Sequence, residues 1–87
     1  MTDTPSAATP TAYLGIDIAK ASFEVVLQDG PRRCGHGFSN DAAGFDALSG
    51  WLARQGAGRV WAVQEATGRY GEALANYLTQ QGHTVSV

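Results

Sequence analysis

The sequence predicts an α/β fold in which a three-stranded antiparallel meander leads into two right-handed β-α-β units. Two observations support this class. Two apolar, β-branched stretches near the start of the chain are separated by only two residues, which indicates a hairpin. Further along, apolar residues recur at helical spacing in two segments, each followed by a short strand-like run. The predicted order is three strands, helix, strand, helix, strand.

The meander is predicted from residues 13–19, 22–28 and 32–39. The first two stretches form the hairpin, and Asp29-Gly30-Pro31 is the turn that ends the second strand. The third strand contains two glycines, which lower strand propensity. It is therefore the weakest strand of the meander by composition.

The first helix is predicted to begin at Asn40, because asparagine is a preferred N-cap residue. Gly56 and Gly58 follow the last apolar position and can end the helix. Residues 59–65 then form the fourth strand. The apolar positions at helical spacing are Phe45, Leu48, Trp51 and Leu52.

The second helix is predicted to be capped by Thr67 or Gly68 and to stop at Gly82. Residues 83–87 then begin a fifth strand. The residues expected on the apolar face of this helix are Tyr70, Leu74, Tyr77 and Leu78.

Composition limits the function classes. The chain has 87 residues, of which 44% are apolar, and 8 acidic against 6 basic side chains give a net charge of −2. This length suits one small domain. A domain that binds nucleic acid mainly through phosphate neutralisation is normally basic, so the composition argues against a self-sufficient DNA-binding module. Any DNA contact must be local or come from other parts of the protein.

The remaining sequence features concern domain limits and location. Residues 1–12 are rich in Thr, Ala, Ser and Pro and are expected to form a flexible leader, with the domain occupying residues 13–87. The single cysteine, Cys34, cannot form an internal disulfide, which favours a cytoplasmic location. The sequence shows no signal peptide and no apolar run long enough to span a bilayer, so no membrane partner is expected.

Two acidic residues lie at the ends of predicted core strands. Asp17 lies within an apolar strand, and Glu65 ends the fourth strand. A carboxylate in such a setting is costly unless it is paired or binds a metal, although a strand-end aspartate can also cap a turn. If the two strands are neighbours, their backbones lie roughly 4.8 Å apart and the carboxylates can converge on one site.

Such a pair can bind a divalent metal, and Mg²⁺ prefers carboxylate oxygens. Two ions about 3.5–4 Å apart would stabilise the attacking and leaving oxygens of phosphoryl transfer, but two carboxylates rarely hold two ions. No third acid lies in a similar setting, because four further acids fit helix starts or solvated faces of helices and strands. These four are Glu24, Asp41, Asp46 and Glu72.

Two motifs make a resemblance specific. Residues 13–20 read Tyr-Leu-Gly-Ile-Asp-Ile-Ala-Lys, and residues 65–71 read Glu-Ala-Thr-Gly-Arg-Tyr-Gly. Both resemble the DEDD-type insertion-sequence transposases of the IS-one-ten family, whose N-terminal domain is similar to the Holliday-junction resolvase RuvC. The sequences Phe38-Ser39-Asn40, Gly44-Phe45 and Trp51-Leu52 also fit this family, so the resemblance covers residues 13–87.

The resemblance implies a ribonuclease H-like domain with a mixed five-stranded sheet in the order 3-2-1-4-5. It makes Asp17 and Glu65 the first two acids of the DEDD set, as catalytic residues that bind Mg²⁺ or Mn²⁺. The two final aspartates and the serine nucleophile of the family have no match in this chain, so we expect weak metal binding and no DNA cleavage by the chain alone. The family further implies DNA and a guide RNA as partners, and action as a homo-oligomer.

Other residues have weaker functional claims. Lys20 and Arg69 follow the two acids closely and can reach phosphate. Most lysines and arginines, however, are solvated surface residues without a ligand. Cys34 and His36 share one face of a strand, but two ligands without further partners are more often ordinary strand residues than a zinc site. Tyr70 can stack on a base, but its spacing to Leu74 favours core packing.

Two other functions compete with the transposase. Sugar kinases and actin-like ATPases share this fold and open with a similar aspartate strand and phosphate-binding hairpin. A kinase or ATPase of this kind requires a glycine two residues after the acid, so that the backbone can approach phosphate, but this chain has Ala19 there. This function also leaves residues 65–68 unexplained. The third possibility is a noncatalytic interaction module in which Asp17 and Glu65 are structural.

The handedness of crossovers predicts which face of the sheet is covered. Both crossovers run the same way across the sheet, so both helices should lie on one face, over Leu14, Ile16 and Ile18. The other face would then remain open, and we expect self-association through it or through the edge at residues 83–87. Its predicted members are Asp17, Trp61, Val63 and Glu65.

Overall fold

A computed structural model describes residues 12–64 and 70–86. Its elements follow one another in the predicted order. The strands are β1 (Ala12–Ile18), β2 (Ser22–Asp29), β3 (Arg32–Ser39), β4 (Val60–Gln64) and β5 (Thr84–Ser86), and the helices are α1 (Ala42–Arg54) and α2 (Glu72–Gln80).

The five strands form one mixed sheet in the order β3-β2-β1-β4-β5. β1 pairs antiparallel with β2, and β2 pairs antiparallel with β3. β1 pairs parallel with β4, and β4 pairs parallel with β5. This topology confirms the predicted α/β class and the strand order of a ribonuclease H-like domain.

The register of β1 with its two neighbours determines which side chains are buried. Leu14 lies opposite Leu27 of β2 and Ala62 of β4, and all three are almost completely buried. Because side chains alternate along a strand, a slip of one residue would move the whole apolar set to the other face. The observed pairing therefore fixes one apolar face for the entire sheet.

Both helices cover this apolar face, as the handedness of the crossovers predicts. The helices are tied to each other by Tyr77 of α2, whose hydroxyl lies 2.6 Å from Ser49 Oγ and donates to Asp46 Oδ1 at 3.2 Å. The buried core consists of Ala12, Leu14, Ile16, Phe23, Val25, Leu27, Phe45, Leu48, Trp51, Leu52, Val60, Ala62, Leu74 and Leu78.

The N-cap of α1 is Asp41, so the prediction of Asn40 is wrong by one residue. Asp41 Oδ1 accepts hydrogen bonds from the backbone N–H of Gly44 at 2.8 Å and from Ser39 Oγ at 2.7 Å. These donors, the backbone N–H of Gly44 first, lower the pKa of Asp41. Asparagine and aspartate are equally good N-caps, and here the Asn40 side chain is used in other contacts.

The start of α2 also differs from the prediction. The helix begins at Glu72 with Gly71 as its N-cap, and the predicted caps Thr67 and Gly68 lie outside the described residues. Tyr70 precedes the helix and is 43% exposed, so its predicted place in the core is wrong. A residue outside the helix does not share the helical face on which Leu74 and Leu78 are buried.

The helix ends follow the predicted glycine signals. Gly56, just after the C-cap of α1, has φ of 74°, and Gly82, just after the C-cap of α2, has φ of 92°. Both values lie in the left-handed region that favours glycine. In the described part of the chain, neither helix is long and apolar enough to cross a membrane.

Gly44 provides a test of how α1 packs on the end of β3. A Cβ atom at Gly44 would lie 1.7 Å from the Ser39 carbonyl oxygen, a clash with backbone. We expect Gly44→Ala to lower the free energy of unfolding by about 1–3 kcal/mol, because the helix start must move. Urea denaturation followed by circular dichroism measures this change.

The matched control is Gly50→Ala in the same helix. A Cβ there would lie 3.5 Å from Arg54 Nη1, the end of a flexible side chain. Alanine favours helix by up to about 1 kcal/mol over glycine, so we expect Gly50→Ala to stabilise the protein. Equal responses of the two variants would contradict a close approach at Gly44.

His83 makes the contact between the N-terminal ends of β4 and β5 sensitive to pH. Its Nδ1 accepts a hydrogen bond from the backbone N–H of Val60 at 3.1 Å, and Arg59 Nε donates to the Gly82 carbonyl at 2.9 Å. Burial lowers the pKa of His83, and the nearby Arg59 charge lowers it further. The neutral imidazole is the form that accepts from Val60.

This pKa shift predicts loss of stability in mild acid. Because the folded pKa lies below the ordinary value of 6.5, the unfolded chain binds the proton more readily, and stability falls as pH drops through that value. We expect urea midpoints to fall between about pH 7.5 and about pH 5 in the parent, and to fall less in His83→Asn. The asparagine oxygen is as far from the backbone as Nδ1 and can still accept from Val60. An unchanged pH slope in the variant would contradict this role.

Candidate functional site

The candidate site lies on the face of the sheet opposite the helices. This open face carries the exposed large side chains Tyr13, Val26, Trp61 and Val63. A shallow groove of about 620 Å³ crosses it. The described members of the predicted open face, Asp17, Trp61 and Val63, are all exposed, which confirms their placement.

Asp17 lies one residue before the end of β1, and its exposed side chain lines the groove. Ile16 and Ile18, its neighbours in the chain, point to the opposite, apolar face. Within residues 12–64 and 70–86, no group donates a hydrogen bond or forms an ion pair with the Asp17 carboxylate. The acid is therefore held on a central strand with its oxygens open to solvent.

Glu24 of β2 lies directly opposite Asp17 in the antiparallel register. Side chains of such cross-strand pairs have Cβ atoms about 4.5–5.5 Å apart. Glu24 was predicted only as a solvated strand residue, and its position opposite Asp17 was missed. The predicted hairpin already implies this pairing, because a two-residue turn after residue 19 places residue 17 opposite residue 24.

The parallel pairing of β1 with β4 brings the second motif to the same end of the sheet. Ile16 pairs with Gln64, which is the last described residue before Glu65. Glu65 and Arg69 themselves lie outside the described residues. Their assignment as a metal ligand and a phosphate contact therefore stays a prediction.

Gln64 is a buried polar residue at the end of β4, with only 5% of its surface exposed. Its Nε2 donates to the Gly71 carbonyl oxygen at 3.1 Å, and its Oε1 has no hydrogen-bond partner in the described part of the chain. A Cβ atom at Gly71 would lie 2.5 Å from Gln64 Nε2 and 2.8 Å from Ile18 Cδ1. The start of α2 thus rests directly on the ends of β1 and β4.

Lys20 lies in the turn between β1 and β2, three residues after Asp17, and is exposed. Arg33 of β3 lines the same groove as Asp17. The acidic groups therefore share the groove with Arg33, and Lys20 follows Asp17 closely in the sequence. A phosphate held near Asp17 would have Lys20 as the nearest cation along the chain.

Cys34 and His36 lie on the other face of the sheet, beside α1. They pair with Leu27 and Val25, whose side chains are buried on the helix side. Cys34 Sγ donates to Gln55 Oε1 at 3.5 Å, and the His36 ring stacks on Phe38 with ring centres 4.7 Å apart. Neither side chain faces the groove that contains Asp17.

The groove suits a hard divalent cation better than a soft one. Its acidic groups, Asp17 and Glu24, offer carboxylate oxygens, the ligands that Mg²⁺ and Mn²⁺ prefer. Two like charges opposite each other destabilise a sheet unless a cation offsets them. No group of three or more potential metal ligands occurs within the described ranges.

The Asp17–Glu24 pair predicts a stabilising variant. Glu24→Gln removes the repulsion, so we expect a gain of about 0.2–1 kcal/mol in the free energy of unfolding at low salt. High salt or Mg²⁺ should shrink this gain, because both offset the charges in the parent. Urea denaturation at several salt and Mg²⁺ concentrations measures it.

The matched control, Glu72→Gln, makes the same chemical change in the first turn of α2. There the lost charge favoured the helix N-terminus, so we expect destabilisation by about 0.3–1 kcal/mol. A loss rather than a gain of stability in Glu24→Gln would show that the two carboxylates do not repel each other.

Comparison with known proteins identifies the family of the chain. A transposase family model, for DEDD transposases of the IS110 family, matches residues 14–87. Two curated relatives, from Moraxella lacunata and Moraxella bovis, are each named pilin gene-inverting protein. Each is 33% identical over 79 residues, which cover 86% of this chain and 24% of the relative, so the chain spans about a quarter of their length. Because the family model covers nearly the whole chain, the chain belongs to the IS110 family of DEDD transposases.

Proposed function

We propose that the protein containing this chain is a DNA transposase or recombinase, and that Asp17 and Glu65 form part of its Mg²⁺- or Mn²⁺-dependent acidic site. The main supporting observation is the exposed position of Asp17 at the end of the central strand, beside the end of β4. Family membership and the name of the Moraxella relatives, which describes inversion of a gene, support the reaction class.

The strand register supports the pairing of the two acids. Ile16 pairs with Gln64, and Asp17 and Glu65 directly follow these two residues in the sequence. Parallel strands lie about 4.8 Å apart, so consecutive residues just beyond a paired position remain within reach of a shared cation. Val63 and Trp61, two and four residues before Glu65, point to the face that carries Asp17.

The chemistry of the site follows from its donors. Divalent metal ions in such a site stabilise the attacking and leaving oxygens during phosphoryl transfer. Asp17 and Glu65 would hold the metal through carboxylate oxygens, and Glu24 adds negative charge beside them. The remaining aspartates and the serine nucleophile of the family would come from outside this chain, so we expect the chain alone to bind Mg²⁺ weakly and not to cleave DNA.

The proposed partners follow from charge and from the family. A net charge of −2 provides little general attraction for phosphates, so DNA contacts of this chain must be local. Lys20, in the turn after β1, and Arg69 are the proposed contacts near the two acids. By resemblance, a guide RNA and further copies of the protein complete the assembly.

Substitution of the two acids tests the proposal. In the complete protein that contains this chain, we expect Asp17→Asn and Glu65→Gln each to abolish Mg²⁺-dependent DNA cleavage and strand transfer, because neutral side chains hold a hard cation poorly. Assays on labelled DNA substrates with insertion-sequence ends measure both reactions. Thermal unfolding must show that the variants fold.

Asp29→Asn is the matched control, because Asp29 lies at the far end of β2 and pairs with Arg32. We expect it to retain activity. Full activity of folded Asp17→Asn and Glu65→Gln proteins would refute the acidic site and favour a noncatalytic interaction module.

A further inference from the structure

The side chain of Asn40 connects three parts of the fold. Its Nδ2 donates to the Tyr70 carbonyl oxygen at 2.9 Å and to the Ala19 carbonyl oxygen at 3.1 Å, and lies 3.5 Å from the Lys20 carbonyl oxygen. Its backbone N–H donates to the Ala21 carbonyl oxygen at 3.0 Å. Asn40 itself lies between β3 and α1, far from both segments in sequence.

The carbonyl groups that Asn40 binds belong to the two motifs of the proposed site. Ala19 and Lys20 form the turn that follows Asp17, and Tyr70 immediately precedes the N-cap of α2. One amide group therefore fixes the end of the first motif to the end of the second. Few other side chains offer two N–H donors on so short a stem.

Gln64 makes a second link of the same kind. Its amide donates to the Gly71 carbonyl oxygen, and a Cβ atom at Gly71 would displace the ends of the Gln64 and Ile18 side chains. The chain thus leaves β4 at Gln64 and returns to contact the same residue at Gly71. Asn40 and Gln64 thus both bind the end of the connection that carries Glu65, at Tyr70 and Gly71.

We propose that Asn40 is a positioning residue for the acidic site. By binding the Ala19 and Tyr70 carbonyl groups, it fixes the turn that follows Asp17 to the residue before the N-cap of α2, five residues after Glu65 in the sequence. The inference rests on the function proposed above and goes beyond it, because Asn40 is not an acid and makes no contact with Asp17. Residues that orient metal ligands without touching the metal commonly change metal affinity by about 10- to 100-fold.

Asn40→Asp is the sharpest test. Aspartate has nearly the same shape but, when ionised, offers only acceptors to two carbonyl oxygens, so it cannot form these links. In the complete protein that contains this chain, we expect DNA cleavage to require about 10- to 100-fold more Mn²⁺ than in the parent. Saturating Mn²⁺ should restore much of the rate. Mn²⁺ affinity without DNA, measured by electron paramagnetic resonance, should fall by the same factor.

Asn76→Asp is the matched control, the same substitution at an exposed position of α2. We expect it to leave the Mn²⁺ dependence unchanged. Asn40→Ala, which removes the donors without adding charge, should shift the Mn²⁺ dependence in the same direction as Asn40→Asp. Cooperative thermal unfolding identifies variants that remain folded.

Two outcomes would overturn the role of Asn40. One is an unchanged Mn²⁺ dependence in folded Asn40→Asp and Asn40→Ala, and the other is loss of cooperative unfolding in both, which would make Asn40 a purely structural residue. Asp17→Asn separates this failure from failure of the proposed function. If Asp17→Asn abolishes cleavage while the Asn40 variants behave as the parent, only the positioning role is refuted.

Discussion

β1 lies in the middle of the sheet, and its parallel pairing with β4 requires the chain to cross over one face of the sheet. The next crossover, from β4 to β5, has the same direction and the same hand, so α1 and α2 lie side by side on that face. All the deeply buried apolar side chains then collect between the helices and the sheet. The other face keeps its acids and exposed aromatic residues because no described element covers it.

The same pairing explains why the candidate site lies at one end of the sheet. Parallel neighbours bring their carboxyl ends to one edge, and in this protein both conspicuous motifs lie at those ends. Two polar side chains support this edge. Asn40 reaches it from the segment before α1, and Gln64, the last residue of β4, donates to the Gly71 carbonyl oxygen before α2. The edge is therefore built by side-chain hydrogen bonds to other segments as well as by the strands.

Much of this arrangement could be predicted from the sequence, because it depends on rules that act locally. Alternation along β1 predicts the opposite faces of Ile16 and Asp17, and the handedness of crossovers predicts the covered face. The errors arose where tertiary contacts decide between equal local preferences. Asn40 and Asp41 are equally good caps, and the contact of Asn40 with Tyr70 leaves the cap to Asp41. The spacing of Tyr70 fits a helix that in fact begins at Glu72.

The asymmetry of the sheet also divides the two tryptophans between two environments. Trp51 is 5% exposed between α1 and β3, whereas Trp61 is 38% exposed on the open face, where its Nε1 donates to Ser86 Oγ at 2.8 Å. A water-soluble quencher will therefore reduce the fluorescence of Trp61 much more than that of Trp51. The emission of Trp61 becomes an intrinsic optical reporter for any nucleic acid or protein surface that covers this face, while Trp51 reports on the integrity of the core.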